Sequence, residues 1–311
     1  MKVVTEFKIP VGISKPGQKK MISIDGDTVS VNFSSLDMIQ TCLRKAMYVL
    51  NEGLIKDAPA LNFGTAIHKA MESYYECQDD RLERALDSFK SEWEGCGIPD
   101  DDKRSYKNGV AILRAYAETY KDDPWVVYQD GKGKFIERDL EFPFATWEGV
   151  KFNYHGRIDM ALLNTNTGEI AITDHKTTSS LGNDFIKRAM MSTQFMGYLA
   201  GARAVGVPSN VFMTNGIGVF KGPKKFLRLF NEYNADRMVD FYDWAMHNTI
   251  RWLLANKTGA FPISAPGPCS QWGGCQFIEA CSAPVAQREF ILKGLYEKSQ
   301  ETTGISDVSD F

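Results

Sequence analysis

The sequence predicts an α/β fold: a small mixed β-sheet flanked by helices, with a helical N-terminal layer. Three observations carry that prediction. Apolar residues recur at helical spacing over most of residues 36–120, a block of β-type stretches follows between 135 and 178, and helical spacing returns from about residue 185. A strand block with helices on both sides fits three layers. With 311 residues, 43% of them hydrophobic, the chain can bury about three quarters of its unfolded surface and needs no disulfides to support a core. Disorder, collagen-like repeats and a disulfide-rich miniature fold are excluded. No internal repeat or linker divides the sequence.

Residues 21–31 hold two alternating runs around Asp25-Gly26, the pattern of a β-hairpin. Ser34 or Ser35 can cap a helix whose apolar positions are Leu36, Ile39, Leu43, Ala46, Met47 and Leu50. Further helices are expected over 64–75, through Leu82, Leu86, Phe89 and Trp93, and through Tyr106, Val110, Leu113, Tyr116 and Tyr120. Residues 141–147, 150–163 and 169–176 read as three consecutive strands, the last two joined by the turn-forming stretch 164–168. A long helix over 185–205 comes next, then strands from Asn210 and over 226–230. Helix 235–255 places Met238, Phe241, Tyr242, Ala245, Thr249 and Trp252 on one face. Residues 259–274 are Gly/Pro-rich and irregular.

The 36 Lys+Arg against 39 Asp+Glu leave a formal net charge of −3, which argues against non-specific nucleic-acid coating but leaves room for a local basic groove. Charge appears at once in Met1-Lys2-Val3-Val4-Thr5-Glu6, and no window approaches the ~18 apolar residues of a membrane span, so a cytoplasmic protein without membrane contact is expected. Thiols stay reduced there. The six cysteines are therefore better read as metal ligands or buried thiols than as disulfides.

Asp159 lies in the otherwise apolar stretch Tyr154-His155-Gly156-Arg157-Ile158-Asp159-Met160-Ala161, where an unpaired charge is costly, and so calls for a cation. The next strand ends in Asp174-His175-Lys176, and a strand's period of two puts Asp174 and Lys176 on one face. Two converging carboxylates are hard oxygen ligands for Mg²⁺ or Mn²⁺. A lysine beside them can position or deprotonate water and stabilise charge developing on phosphorus. These residues alone leave open a surface salt bridge between Asp174 and Lys176.

Gly156-Arg157-Ile158-Asp159, a hairpin and Asp174-His175-Lys176 resemble motifs II and III of the PD-(D/E)XK nuclease superfamily. Three further features resemble its RecB-like branch. Gly64-x3-His68-x3-Glu72 is similar to a helix motif whose histidine is a metal ligand. Gln194-x3-Tyr198 is similar to a later motif with both side chains on one helix face. Cys42 with Cys269, Cys275 and Cys281 is similar to the one-plus-three arrangement of the iron-sulfur members, including AddB-type and CRISPR-adaptation nucleases and phage-type exonucleases. Each piece has an ordinary reading as well: His68 as a polar or core residue, Glu72 as a helix-surface acid, Gln194 and Tyr198 as a surface pair. The order along the chain, over residues 33–284, argues against coincidence.

The resemblance implies a restriction-endonuclease-like core and a metal-dependent DNA nuclease, an exonuclease acting at single- or double-stranded ends in recombination, repair, or phage or CRISPR DNA processing. It implies that His68, Asp159 and Asp174 bind Mg²⁺ or Mn²⁺, with the His175 backbone carbonyl as a further ligand. Lys176 then orients the water, and Gln194 and Tyr198 position the scissile strand. An imidazole ligand favours Mn²⁺. The sequence holds no helicase motor, so unwinding needs a helicase or a recombination or adaptation partner. The alternative is an inactive iron-sulfur DNA-binding or assembly subunit.

Cys269-x5-Cys275-x5-Cys281 departs from the family, which more often shows two residues in the first gap. Four thiolates suit a [4Fe-4S] cluster or, as the less favoured occupant, Zn²⁺; unliganded thiols also stay open. Cys77 and Cys96 have no partner at ligand spacing. The stretch Lys221-Gly222-Pro223-Lys224-Lys225-Phe226-Leu227-Arg228 is a candidate for phosphate contact, or a solvated hairpin. The expected organisation is a β-hairpin extension at 1–32, one nuclease domain at 33–297 that includes the cysteine segment 269–281, and a disordered tail at 298–311.

Overall fold

The computed structural model describes residues 21–55, 59–77, 79–96, 101, 103–264, 266–270 and 274–298. The first twenty residues of the expected extension and all but Lys298 of the expected disordered tail lie outside the described residues. The chain divides into two compact units, one drawn from 1–57, 141–155 and 240–311, the other from 58–140 and 156–239.

The first unit opens with the hairpin expected from the sequence, β1 (Ile22–Asp25) and β2 (Thr28–Val31), turning at Gly26 with φ 57°. Helix α1 (Phe33–Thr41) is capped by Asn32 rather than by Ser34 or Ser35 alone. The Asn32 side chain accepts from Ser35 N at 2.9 Å and Ser35 Oγ accepts from Asn32 N at 3.1 Å, a reciprocal box in which Ser35 is the second half. The single helix expected over 36–50 is broken. Cys42 is extended at φ −164°, and the chain resumes as α2 (Leu43–Ala46) and a π-helical turn, Met47–Asn51, before β3 (Leu54–Ile55).

The second unit begins with α3 (Pro59–Glu76), α4 (Arg81–Cys96) and α5 (Tyr106–Thr119). Then come the short strands β4 (Trp125–Val127), β5 (Gln129–Asp130) and β6 (Gly133–Lys134) and the long strands β7 (Ile136–Trp147), β8 (Val150–Asn164) and β9 (Ile170–Thr178). The helix expected over 185–205 is two, α6 (Asn183–Met190) and α7 (Thr193–Ala204), because Ser192 turns extended and its side chain accepts from Phe195 N. β10 (Val211–Gly218) and β11 (Phe226–Glu232) complete this part.

Here β8 pairs antiparallel with β4 on one edge and β9 on the other, β9 pairs parallel with β10, and β10 antiparallel with β11. The mixed sheet is thus as expected, and the parallel β9–β10 step is made by the α6–α7 crossover. One face packs Met160, Leu162, Ala171, Met213 and Ile217 against Phe63, Ile67, Met71 and Tyr75 of α3 and Leu113 and Tyr116 of α5. On the other face Phe212 stacks on Phe195 of α7 with ring centroids 4.0 Å apart. That alternation along β10 makes three layers.

The first unit resumes with the far half of β7 and the near half of β8, whose Lys151–Tyr154 pair parallel with β2. Helix α8 (Ala235–Thr258) buries Phe241, Ala245, Thr249 and Trp252 of the face expected from its periodicity, while Tyr242, expected there too, is exposed because it stands next to Phe241, about 100° around the helix. Three short helices follow, α9 (Pro266–Ser270), α10 (Ile278–Ser282) and α11 (Val285–Leu295), and β12 (Glu297–Lys298) pairs antiparallel with β3. Tyr48, Val49, Leu54, Phe277, Ala280, Leu292 and Tyr296 form a small core there, with Cys275 and Cys281 packed on it. Among the described residues no helix is long and apolar enough to cross a membrane.

Candidate active site

Strand alternation sorts the Asp-x-Lys residues of β9. Asp174 and Lys176 share one face; Lys176 Nζ lies 6.0 Å from the centre of the Phe195 ring on α7. The ammonium sits 3.0 Å from Asp174 Oδ1 and 2.8 Å from Oδ2. The Asp174 side chain is only 3% exposed, so this is not a surface salt bridge. Burial lifts its carboxyl to about 6, against the pull of Lys176 and with the push of Asp159. The same burial works against the Lys176 charge, but Asp174 outweighs it and holds the ammonium above its ordinary value.

Asp159 stands one residue beyond the last β8–β9 pair, Met160 with Thr173. Its Oδ2 accepts from the backbone N–H of His175 at 3.2 Å and lies 3.3 Å from His68 Nδ1. Gly64, His68 and Glu72 follow one another at i, i+4 and i+8 on α3, so they share a helix face. Gly64 lets that helix come close to β9: a Cβ there would sit 3.3 Å from Thr177 Oγ1. Burial pulls the His68 imidazole down, but the Asp159 hydrogen bond and charge carry it above its ordinary value. Asp159 answers in the other direction; burial raises it, and His68 brings it below the usual carboxylate range.

These groups open on a pocket of about 550 Å³ in which His68, Asp159 and Lys176 are joined by Lys69, Glu72 and Glu137. Glu72 is paired with Lys69 at 2.6 Å. Glu137 is a site residue that nothing in the sequence pattern marks. It has a left-handed backbone, φ 47°, and its carboxyl is pushed up by burial and by Asp159 and Glu72. Arg157 pairs with Asp139 at 2.9 Å and reaches Glu137 at 3.8 Å.

His175 points to the opposite face of β9. Its ring stacks on Tyr75 at 5.8 Å, and its Nδ1 lies 2.8 Å from Asn215 Nδ2. Burial depresses it to about 3, so it is neutral, and of the roles expected for it only the one through its main chain is open. Gln194 Nε2 donates to Tyr198 Oη at 3.0 Å, as their spacing on α7 predicts. Neither they nor Asp174 form the pocket wall. The Tyr198 hydroxyl is nevertheless raised by burial and then by the charges of Asp174 and Asp159, which puts it within their electrostatic reach. The basic stretch 221–228 is largely committed elsewhere. Arg228 forms a two-pronged ion pair with Asp123 at 2.9 and 2.6 Å with its side chain 10% exposed, and Lys224 donates to Asn108 and to the Phe220 carbonyl.

Among the described residues no three His, Cys, Asp or Glu side chains are arranged to hold a metal ion as they stand. The donor chemistry of the pocket still fits one. The Asp174 carboxyl is buried with its Oδ2 facing the Lys176 ammonium at 2.8 Å, burial raises it to about 6, and Asp159 is paired with the imidazole of His68. A divalent cation offsets that burial. The four cysteines belong to the first unit: Cys275 N donates to the Cys269 carbonyl at 2.8 Å, and the half-buried Cys281 thiol is raised by burial and then by Cys275 and Cys42. Burial pushes the Cys42 thiol up, but N–H groups of Lys45, Ser264 and Arg44 facing the sulfur bring it below its ordinary value.

Residues 30–282 match the sequence profile of the PD-(D/E)XK nuclease superfamily. No curated protein matches the chain. A solved structure described as a "putative exonuclease" from Eubacterium rectale is similar over 81% of this chain and 88% of its own, with 16% identity and a TM-score of 0.50, a likeness of fold. A second, SSO0001, aligns over 69% of this chain and 84% of its own at 10% identity and a TM-score of 0.30, too low to bear on the argument.

Proposed function

The chain belongs to the PD-(D/E)XK nuclease superfamily and is a nuclease, and from that premise we propose that it is a divalent-metal-dependent deoxyribonuclease of the RecB-like branch. In this reading it is an exonuclease at single- or double-stranded DNA ends, in recombination, repair, or phage or CRISPR DNA processing. A helicase or a recombination or adaptation protein is its partner, and the cytoplasm, where thiols stay reduced, is its setting. The observation that supports the reading is the meeting of His68 from α3, Asp159 from β8 and Lys176 from β9 in one open pocket, with the buried Asp174 paired to Lys176.

His68, Asp159 and Asp174, with the backbone carbonyl of His175, are the groups that would hold Mg²⁺ or Mn²⁺. The ion supplies positive charge at the phosphate and lowers the pKa of a bound water. Lys176 stays protonated because Asp174 outweighs its burial, so it orients water and faces charge developing on the non-bridging oxygens rather than acting as a base. Gln194 and Tyr198, bonded to each other, position the strand to be cut. For the cysteines we propose a [4Fe-4S] cluster, with Zn²⁺ as the less favoured occupant, supported by a Cys42 sulfur whose surrounding N–H groups suit a thiolate.

The test is cleavage of end-labelled linear single- and double-stranded DNA by anaerobically purified protein with Mn²⁺ or Mg²⁺, beside Asp174→Ala and Lys176→Ala. Shortening from the ends is expected, lost with Asp174→Ala and reduced about 100-fold or more with Lys176→Ala. Folded protein that binds DNA and cuts it with neither metal overturns the reading in favour of a binding subunit.

A further inference from the structure

Behind β9 a polar chain runs through an otherwise apolar core. Arg228, held by Asp123 and lying 3.7 Å over the Tyr120 ring, donates from Nη2 to Tyr75 Oη at 2.9 Å and to Tyr116 Oη at 3.1 Å. The two hydroxyls share a further hydrogen bond of 2.9 Å. Asn215 Nδ2 donates to Tyr116 Oη at 2.6 Å and meets His175 Nδ1 at 2.8 Å. Asn215 is also the register partner of His175 across the parallel β9–β10 pair. Around these groups the core is Met71, Leu113, Met213 and Ile217.

His175 is the end of the chain and meets two residues that line the pocket, His68 and Asp159. Its ring is fixed by Tyr75 and Asn215, and its edge meets His68 perpendicularly, with centroids 6.2 Å apart. Its main-chain N–H holds Asp159 Oδ2 at 3.2 Å. One residue therefore braces both the imidazole and the carboxylate that meet at 3.3 Å in the pocket lining.

This arrangement is a poor way to build a core. His175 Nε2 and Asn215 Oδ1 are buried without any hydrogen-bond partner, a penalty that an apolar pair of similar volume avoids. What the polar groups provide instead is direction, because a hydrogen-bonded imidazole has one orientation where a packed leucine has several. Partners behind metal-binding histidines and carboxylates set ligand orientation, and their loss costs about 10–100-fold in metal affinity or activity.

We propose that Asn215 and Tyr116 are positioning residues that act through His175 to align His68 and Asp159 for a divalent cation; this rests on the nuclease reading above. Arg228 and Asp123 anchor the far end. None of these residues lines the pocket.

The experiment is titration of the full-length protein with Mn²⁺, following the electron paramagnetic resonance signal of the free aquated ion, for wild type, Asn215→Leu, Tyr116→Phe and Asp174→Asn, with melting temperatures alongside. Asn215→Leu is expected to weaken Mn²⁺ binding about tenfold or more and Tyr116→Phe by a smaller factor. The Mn²⁺ concentration for half-maximal cleavage rises in step, while the rate at saturating Mn²⁺ is retained. Wild-type binding that is lost in Asp174→Asn but unchanged in both positioning variants, whatever their melting temperatures, overturns the proposal alone. Wild type that binds Mn²⁺ no better than Asp174→Asn overturns the nuclease reading and the proposal with it. If Asn215→Leu does not fold, Tyr116→Phe, which removes a single oxygen, decides.

Discussion

Asp159, Asp174 and Lys176 were legible in the sequence as charges on strands whose alternation fixes their direction, and His68 through the resemblance of Gly64-x3-His68-x3-Glu72 to a family motif. Glu137, Tyr116 and Asn215 were not, since no local pattern sets them apart from their neighbours and only pairing between distant strands and helices brings them in. Arg228 misleads for the same reason. It stands in a basic run, yet its partner Asp123 lies 105 residues away and holds it with little of its side chain exposed. The buried His175 gives a residue-scale test. The unfolded chain takes up a proton near pH 6.5 that the folded imidazole refuses until about 3, so its contribution to stability is complete above about pH 6.5 and is lost as pH falls. In chelator-containing buffer, wild type should lose about 1.4 kcal/mol per pH unit more than His175→Gln between pH 6 and 4.5, read from urea midpoints. Parallel curves would remove the assignment of a neutral, desolvated imidazole.

Elements were read well where periodicity is long and poorly where the backbone breaks inside a continuing pattern. The apolar spacing runs unbroken through Cys42 and through Met191-Ser192, but the chain turns extended at Cys42 and Ser192, and each expected helix becomes two shorter ones. Strands β4 to β6 went unread because two or three residues cannot display an alternation. Where two helices pack, opposing magnitudes can be weighed. Gly109 stands in α5, where alanine is favoured over glycine by about 1 kcal/mol on helix propensity. A Cβ at that position, however, would overlap the ring of Phe89 on α4, which is fully buried. Overpacking of a filled site costs about 1–3 kcal/mol. Gly109→Ala should therefore lower the urea midpoint; a higher midpoint would mean that α4 and α5 separate without cost.

For the whole molecule, a mixed sheet between helices follows from the sequence, but the order of its strands and the division into two units do not; the chain leaves the first unit at residue 57, returns for 141–155 and returns again at 240. No linker composition marks such crossings; they are made inside β7, β8 and α8. The division separates the two chemistries by sequence as well. Cys42, Cys269, Cys275 and Cys281 all belong to the first unit, and His68, Asp159, Asp174 and Lys176 all belong to the second. The proposed [4Fe-4S] cluster, joining Cys42 to Cys269–Cys281, would close a very long loop, a restraint worth about 5 kcal/mol on the chain-entropy estimate. If the cysteines hold that cluster, Cys275→Ala should be colourless where the wild type is brown and should melt at a lower temperature, while Mn²⁺ binding at the proposed second-unit ligands, measured well below that melting point, keeps its wild-type strength. A colourless variant with an unchanged melting temperature would show that the cysteines close no such loop. One that melts early and also loses Mn²⁺ affinity would show instead that the pocket depends on the first unit for its alignment, and the positioning role of Asn215 and Tyr116 would then be only part of what holds the ligands.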